Sequence, residues 1–254
     1  ARHHLAAARH LVTERIAALG MSGSGKTYFA TKLAEEMLEA GAQIFAIDPV
    51  GVWWGLRVGR DGHSRGYSIY IFGGEKADFP ITPKSGALAA EVIVTRGISA
   101  VLDISDFTLG EQTTFIIDFA ERLWSLKKQH KSALHGFWEE CHMFIPERVA
   151  QEPKAATMLN RVERLIRVGR NRGIGTTMVS QFPQSINKRC LNNAQVVFAF
   201  AAGAKHERKA IGDWFDSNVA GTDGAFDWNE QLPKLPTGEC IVASPRILRT
   251  IRIA

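Results

Sequence analysis

The sequence has 254 residues, of which 45% are hydrophobic, and a formal net charge of +5. This length suffices for one large α/β domain, and the small positive excess is compatible with a polyanionic partner without requiring one. The three cysteines lie far apart, which argues against a disulfide framework or a zinc ribbon and favours a reducing cytoplasm. No apolar run approaches the ~20 residues that cross a bilayer, so no membrane span is expected.

Short apolar segments alternate with helix-forming segments along most of the chain. The predicted strands are 15–19, 43–47, 68–72, 98–103, 134–138, 174–180 and 195–201, and the predicted helices are 26–40, 85–95, 110–129, 157–171 and 205–215. Alternation of this kind is typical of an α/β fold in which helices cover both faces of a mostly parallel sheet. We expect a single domain over 1–254, with loops at 51–66 and 216–238 and a terminal strand pair at 240–243 and 247–253.

A glycine-rich segment between the first strand and the first helix fits the pattern G-x-x-x-x-G-K-[ST] at every fixed position: Gly20-Met21-Ser22-Gly23-Ser24-Gly25-Lys26-Thr27. In this context, backbone N–H groups of Gly20, Ser22, Gly23, Ser24 and Gly25 would surround phosphate oxygens at the positive end of the helix. Lys26 would reach the β- and γ-phosphates, and the Thr27 hydroxyl would contact Mg²⁺. The segment therefore predicts binding of ATP with Mg²⁺ rather than an ordinary turn.

Polar side chains stand at the predicted strand ends, where ligands gather in a parallel sheet. Two adjacent acids, Glu139 and Glu140, follow the strand 134–138. We expect Glu139 to be the metal-side acid and Glu140 the general base that polarises the attacking water. Without the phosphate loop, a solvated acidic pair would be the better interpretation.

Two further features each have a functional and a structural interpretation. Gln181 follows the strand 174–180 and would sense the γ-phosphate, or else make an ordinary loop hydrogen bond. Five arginines recur from Arg161 to Arg172. They would form a basic face for nucleic acid, supply an arginine finger to a neighbouring subunit, or simply be solvated.

Taken together, these motifs resemble the HerA/FtsK group of ATPases, and HerA more closely. The matching segments are GMSGSGKT (20–27), IDPVGVWWGLR (47–57), VLDIS (101–105), EECHMFIP (139–146), GRNRGIGTTMVSQFP (169–183) and LPTGECIVASP (235–245). They span nearly the whole chain in a consistent order, and the second and fifth are far more restrictive than the glycine loop.

The resemblance implies a RecA-like P-loop core that assembles into a ring, a hexamer, with ATP between subunits and duplex DNA moving through a central pore. It assigns Lys26 and Thr27 to the phosphate loop and Glu139 and Glu140 to the second motif, and it makes Gln181 the sensor glutamine. It also implies a nuclease or another effector as a protein partner. The expected activity is that of an ATPase of the DNA translocase or helicase type.

Arg167 and Arg170 match arginines that precede the sensor strand in the family, and the resemblance implies that one of them is the trans finger. Arg15 is a further candidate for a cross-subunit contact. The chain departs from the family pattern where Glu139 stands in place of the usual Asp and where Phe182 stands in place of an Arg that many members have. The N-terminal β-barrel of full HerA proteins has no counterpart, so we expect an ATPase core alone or a reduced homologue.

Two other functions compete with the translocase. One is an ATP-dependent assembly scaffold for a nuclease, as in HerA-type components of bacterial antiphage systems, which the two departures favour. The other is a monomeric small-molecule kinase in which the loop around Trp53 and Trp54 would serve as a lid. That tryptophan pair is expected to fill a local pocket.

Overall fold

The computed structural model describes residues 10–59, 61–149, 152–219, 227–245 and 247–253. In this part of the chain the strands are β1 (Arg15–Leu19), β2 (Gln43–Asp48), β3 (Tyr70–Phe72), β4 (Ala100–Asp103), β5 (Leu134–Trp138), β6 (Ile174–Ser180), β7 (Val196–Ala199), β8 (Glu239–Ser244) and β9 (Ile247–Arg252). The α-helices are α1 (Lys26–Glu39), α2 (Gly86–Arg96), α3 (Leu109–Leu126), α4 (Pro153–Val168), α5 (Lys188–Leu191), α6 (Lys205–Asn218) and α7 (Trp228–Gln231).

All of these strands belong to one sheet, in the order β3-β4-β2-β5-β6-β1-β7-β8-β9. The pairs from β3 to β7 are parallel, and β8 and β9 continue the sheet in antiparallel pairing. Because β1 and β5 both flank β6, the segments that follow these three strands emerge side by side at the carboxyl edge of the sheet. This arrangement brings positions near 20, 139 and 181 to one place.

Two hydrophobic cores lie on opposite faces of the sheet, as the alternation of side chains along a strand requires. In β1, Ile16 and Ala18 join the core under α1, whereas Ala17 and Leu19 join the core formed with α2, α3, α4 and α6. Both faces are therefore covered, and each central strand is buried along its length, as expected for parallel strands.

Strand β5 contains a histidine and a glycine, which is unusual for a central strand. Burial lowers the pKa of His135 to about 4, so its ring is neutral. Its Nδ1 lies 2.9 Å from the carbonyl oxygen of Val12 and its Nε2 lies 2.7 Å from Oγ1 of Thr177, so both nitrogens are satisfied. At Gly136 an added Cβ would lie 2.3 Å from Cζ of Phe45, so the packing leaves no room for a side chain there.

The α/β fold with a mostly parallel sheet is confirmed. The predicted strands and helices are all present: β1, β5 and β6 have the predicted ends, and the other elements have shifted ends. Helix α4 starts at Pro153, four residues before the predicted start, because Pro suits the first turn of a helix. Segment 216–238 was predicted as a loop, but α6 extends to Asn218 and α7 forms at Trp228–Gln231; residues 220–226 lie outside the described part. No helix in the described ranges is long and apolar enough to span a bilayer.

Candidate nucleotide-binding and hydrolysis site

The phosphate loop connects the end of β1 to the start of α1. Gly20 has φ 151° and Gly25 has φ 106°, values that residues other than glycine rarely adopt. An added Cβ at Gly20 would lie 2.8 Å from Cβ of Phe200, so close packing also requires glycine there. Helix α1 begins at Lys26, directly after Gly25, so its positive end faces the loop.

Lys26 lies folded against this loop. Its Nζ donates a 2.7 Å hydrogen bond to the carbonyl oxygen of Met21, and the residue is only 6% exposed. Burial lowers the pKa of Lys26, while Glu140, Glu139 and Glu207 act in the opposite direction. The predicted lysine and the two predicted acids therefore lie close enough to interact electrostatically.

Glu139 is bound on both of its carboxylate oxygens. Oε1 accepts a 2.9 Å hydrogen bond from Oγ1 of Thr27, and Oε2 accepts a 3.1 Å hydrogen bond from Nε1 of Trp53. Burial raises the pKa of Glu139 to about 7, although these two hydrogen bonds oppose the rise. A buried carboxyl group of this kind is one whose charge a bound cation would stabilise.

The oxygens of Thr27 and Glu139 fit a magnesium site. Two neighbouring ligands of an octahedral Mg²⁺ lie about 3 Å apart when the metal–oxygen bonds are about 2.0–2.1 Å. Thr27 Oγ1 and Glu139 Oε1 are 2.9 Å apart. Both are hard oxygen donors at the edge of the phosphate loop, so the residues present match the expected metal.

Glu140 has an unusual backbone conformation, with φ 46°, and it is the one residue other than glycine with a positive φ in the described chain. Strained conformations of this kind cluster at functional sites. Its Oε2 is buried, lies 3.2 Å from Nδ1 of His142, and accepts no hydrogen bond from the described residues. His142 Nδ1 is instead 3.0 Å from Oγ of Ser180. The carboxylate thus keeps one buried oxygen that has no hydrogen-bond donor among the described residues.

Gln181 follows β6, which lies between the strand before the phosphate loop and the strand before the two acids. The backbone around it is held by Ser180, whose Oγ accepts a 3.0 Å hydrogen bond from the N–H of Phe182. Phe182 is 40% exposed and packs edge-on against the ring of His142.

Arg167 and Arg170 lie at the other end of the sheet, near the amino ends of β1 and β6. Arg167 pairs with Glu163 at 2.7 Å, and Arg170 pairs with Glu14 at 3.0 Å. Strand β1 alone, with five residues, separates the two ends by about 16 Å. Neither arginine therefore reaches the phosphate loop of its own chain. Arg15 joins the same group, with its guanidinium donating to the carbonyl oxygen of Arg167 at 3.1 Å.

The other arginines of the 161–172 segment have their partners on helix α3. Arg161 and Arg164 pair with Glu121 at 2.5 and 3.1 Å. The Arg172 guanidinium lies 3.6 Å from the centre of the Trp124 ring. These contacts hold α4 and the turn after it against α3. For these three arginines, a structural role explains the contacts better than a nucleic-acid-binding face does.

Three features of the site were not assigned from the sequence. Asp48 accepts four backbone N–H bonds from residues 50–53, of 2.7 to 3.0 Å, and so folds the loop that presents Trp53. Trp53 is fully buried, as expected, but its indole also donates a hydrogen bond to Glu139. The expectation that Trp54 fills the same pocket is wrong, since Trp54 is 38% exposed. The turn before β8 touches the phosphate loop, since Gly238 N–H donates to the carbonyl oxygen of Ser24 at 3.1 Å. The only sequence signal for these features was that segments 47–57 and 235–245 resemble segments of HerA-type ATPases.

Comparison with known proteins gives one family and a set of structural neighbours. The family model described as the central domain of helicase HerA matches residues 6–190. Among curated proteins, none matches this sequence.

Three solved structures resemble the fold. The genome packaging NTPase B204 from Sulfolobus turreted icosahedral virus 2, in complex with ATP-gammaS, has TM-score 0.59 and 15% identity, with 96% of this chain and 98% of that chain covered. VirB4 of Thermoanaerobacter pseudethanolicus has TM-score 0.66 and 11% identity, with 94% and 89% covered. The plasmid coupling protein TrwB, in complex with the GTP analogue GDPNP, has TM-score 0.66 and 10% identity, with 97% and 86% covered. At these identities, the likeness concerns the fold.

Proposed function

The chain belongs to the family of the HerA helicase central domain and is an ATPase of the P-loop type, and from this premise we propose that it hydrolyses ATP to move duplex DNA. The observation that carries the proposal is the assembly of two distant motifs at one edge of the sheet. Thr27 of the phosphate loop is hydrogen-bonded to Glu139, and the next residue, Glu140, lies close enough to Lys26 to interact with it electrostatically.

The residues of this edge can divide the chemistry among them. The loop N–H groups and Lys26 bind the phosphates, and Lys26 exchanges its bond to the Met21 carbonyl for a phosphate oxygen. Thr27 and Glu139 would hold Mg²⁺, which neutralises charge that develops on the phosphates. Glu140 orients the attacking water and accepts its proton, through the oxygen that has no hydrogen-bond donor in the described chain. Gln181 senses the γ-phosphate from the neighbouring strand end.

We further propose that the active form is a ring, a hexamer, in which one subunit completes the site of the next. Arg167 and Arg170 are 44% and 49% exposed at the edge opposite the phosphate loop, so the nucleotide they could serve is that of a neighbour. Exposed apolar side chains near the phosphate loop also support a covering subunit, since such patches mark protein contacts. They are Met21, Val50, Val52 and Trp54.

DNA as the substrate is supported by the family, by the charge of +5 and by the functions of the neighbours, which are named for genome packaging and plasmid coupling. The family also suggests a nuclease or another effector as partner. Arg161 and Arg164 both pair with Glu121 of α3, so the proposal does not place DNA on these two arginines.

The test is ATP turnover by the purified protein with and without linear duplex DNA, combined with negative-stain imaging in ATP and Mg²⁺. We expect turnover that DNA stimulates and particles with six-fold symmetry. A folded protein that binds ATP yet hydrolyses none with any DNA would exclude the motor.

The same measurements separate the competing functions. Nucleotide-dependent assembly that recruits a nuclease without DNA-stimulated turnover would identify a scaffold, the alternative that Glu139 and Phe182 favour. A stable monomer at saturating ATP would instead favour a small-molecule kinase.

A further inference from the structure

Trp53 is a buried aromatic residue that the proposed chemistry does not use. It is 0% exposed at the start of the 3₁₀ turn Trp53–Arg57, and its ring centre lies 5.1 Å from that of Phe137. Packing alone would not require a nitrogen at this point. The indole Nε1–H nevertheless points at Glu139 and donates a 3.1 Å hydrogen bond to its Oε2.

The position of this indole is fixed by the loop that carries it. The carboxylate of Asp48, at the end of β2, accepts the N–H groups of Val50 and Gly51 on one oxygen and those of Val52 and Trp53 on the other. Strand β2 pairs directly with β5, which ends one residue before Glu139. Trp53 is thus anchored to the strand next to the one that presents the acid.

The two oxygens of Glu139 consequently have different surroundings. Oε1 faces the Thr27 hydroxyl at 2.9 Å, whereas Oε2 is held by the indole. We propose that Trp53 is a positioning residue for the metal site: it holds Oε2 of Glu139 so that Oε1 alone faces Thr27 and the cation. This inference rests on the proposed function, because it assumes that the site takes Mg²⁺ with a nucleotide.

The proposal accounts for a glutamate at this position. Glu has one more rotatable bond than Asp, so a carboxylate on the longer side chain loses more freedom when it is ordered. A donor that fixes the second oxygen supplies that order before the cation binds. Outer contacts of this kind typically change metal affinity by 10–100-fold when they are removed.

The main test is a calorimetric titration of the Trp53→Phe variant with Mg²⁺ in the presence of ADP or a non-hydrolysable ATP analogue. The Phe ring retains most of the packing but has no N–H group. We expect about 10–100-fold weaker Mg²⁺ binding, with unchanged nucleotide binding in EDTA and with turnover restored at high Mg²⁺. Trp124→Phe is the matched control, because Trp124 lies on α3 against the guanidinium of Arg172; its Mg²⁺ titration should equal that of the unmodified protein.

A second measurement does not depend on the folding of Trp53→Phe. In protein with ¹⁵N-labelled tryptophan, Glu139→Gln should shift one buried indole N–H resonance and increase its exchange with solvent. The wild-type protein should show that resonance shifting again when Mg²⁺ is added to the nucleotide complex. Absence of all indole shifts in Glu139→Gln, or an unchanged Mg²⁺ titration in folded Trp53→Phe, would overturn the inference. If the wild-type protein binds nucleotide without any Mg²⁺ dependence, the proposed function fails instead.

Discussion

The Thr27 hydroxyl donates a 2.9 Å hydrogen bond to Oε1 of Glu139, a residue 112 positions away along the chain. This contact joins the phosphate loop after β1 to the acidic pair after β5, although β6 separates the two strands in the sheet. A hydroxyl and a carboxylate oxygen at this spacing fit two adjacent ligands of one Mg²⁺ ion. The proposed hydrolytic site depends on this relationship, and the predictions below examine the residues around it.

Replacing Lys26 by Ala should weaken ATP binding by roughly 10–100-fold, because a charged hydrogen bond is worth about 1.5–3 kcal/mol. Calorimetric titration with a non-hydrolysable ATP analogue measures the loss. Lys32→Ala is the control on the same helix, since Lys32 pairs with Glu35 on the surface at 2.7 Å. Equal affinity of Lys26→Ala and the unmodified protein would remove the phosphate loop from the proposed site.

Glu140→Gln should keep nucleotide binding and reduce turnover by about 10²–10⁴-fold, the range for loss of a general base. The amide retains the size of the side chain but cannot accept the proton of the attacking water. Steady-state phosphate release and binding of an ATP analogue should be measured on the same preparation. The exposed Glu152, replaced by Gln, provides the control, and a Glu140→Gln variant as active as that control would show that another group is the base.

Arg170→Ala or Arg167→Ala should reduce turnover by about 10³–10⁵-fold if that residue is the trans finger. The decisive experiment mixes the inactive arginine variant with inactive Glu140→Gln. In a head-to-tail ring of equal parts, about a quarter of the sites would combine an intact Glu140 with an intact arginine, and activity would return.

Arg161→Ala should leave turnover unchanged, because Arg161 is paired with Glu121. If mixing restores nothing for either arginine while each variant still assembles, the trans assignment of these residues is wrong.

The free energy of unfolding should decrease as the pH falls, because the buried His135 is neutral in the folded chain. Burial lowers its pKa to about 4 in the folded chain, against 6.5 as the ordinary value. The unfolded chain therefore binds the proton first as the pH falls. The full contribution to stability is present above about pH 6.5 and is lost progressively towards pH 4, on the order of 3 kcal/mol in total.

Urea unfolding at pH 7.5 and pH 4.5 measures this loss. In His135→Gln the difference between the two pH values should be smaller by most of that amount, whereas the exposed His130→Gln should behave like the unmodified protein. A His135→Gln variant with the same pH dependence as the unmodified protein would show that His135 does not titrate as a buried neutral group.

The sequence predicted the phosphate loop and the acidic pair because their signals are local. Lys26 and Thr27 lie within one eight-residue pattern, and Glu139 and Glu140 directly follow an apolar strand. The alternation of short apolar segments with helix-forming segments likewise predicted the parallel sheet. The meeting of the two motifs was expected from the rule that ligands gather at the carboxyl ends of strands, and the contact between Thr27 and Glu139 agrees with it.

Other parts of the site were beyond a local pattern. The partner of Trp53 lies 86 positions away, and a tryptophan in a loop is usually explained by packing, so its hydrogen bond to Glu139 had no sequence signal. The arginines from 161 to 170 looked alike in sequence. Glu121 pairs with Arg161 and Arg164, whereas Arg167 and Arg170 lie near the amino ends of β1 and β6. Only the packing of α4 against α3 distinguishes them.

The contact between Gly238 and Ser24 places the turn before β8 where a fluorescent dye would report nucleotide binding to the phosphate loop. Thr237, the preceding residue, is exposed at the rim of the phosphate loop. Burial raises the pKa of Cys190 and of Cys240 to about 12, and Cys141 is fully buried, so the native thiols are poorly reactive. A dye attached through Thr237→Cys would therefore label one position and brighten or dim as the loop fills and empties, which would make individual turnovers visible by fluorescence.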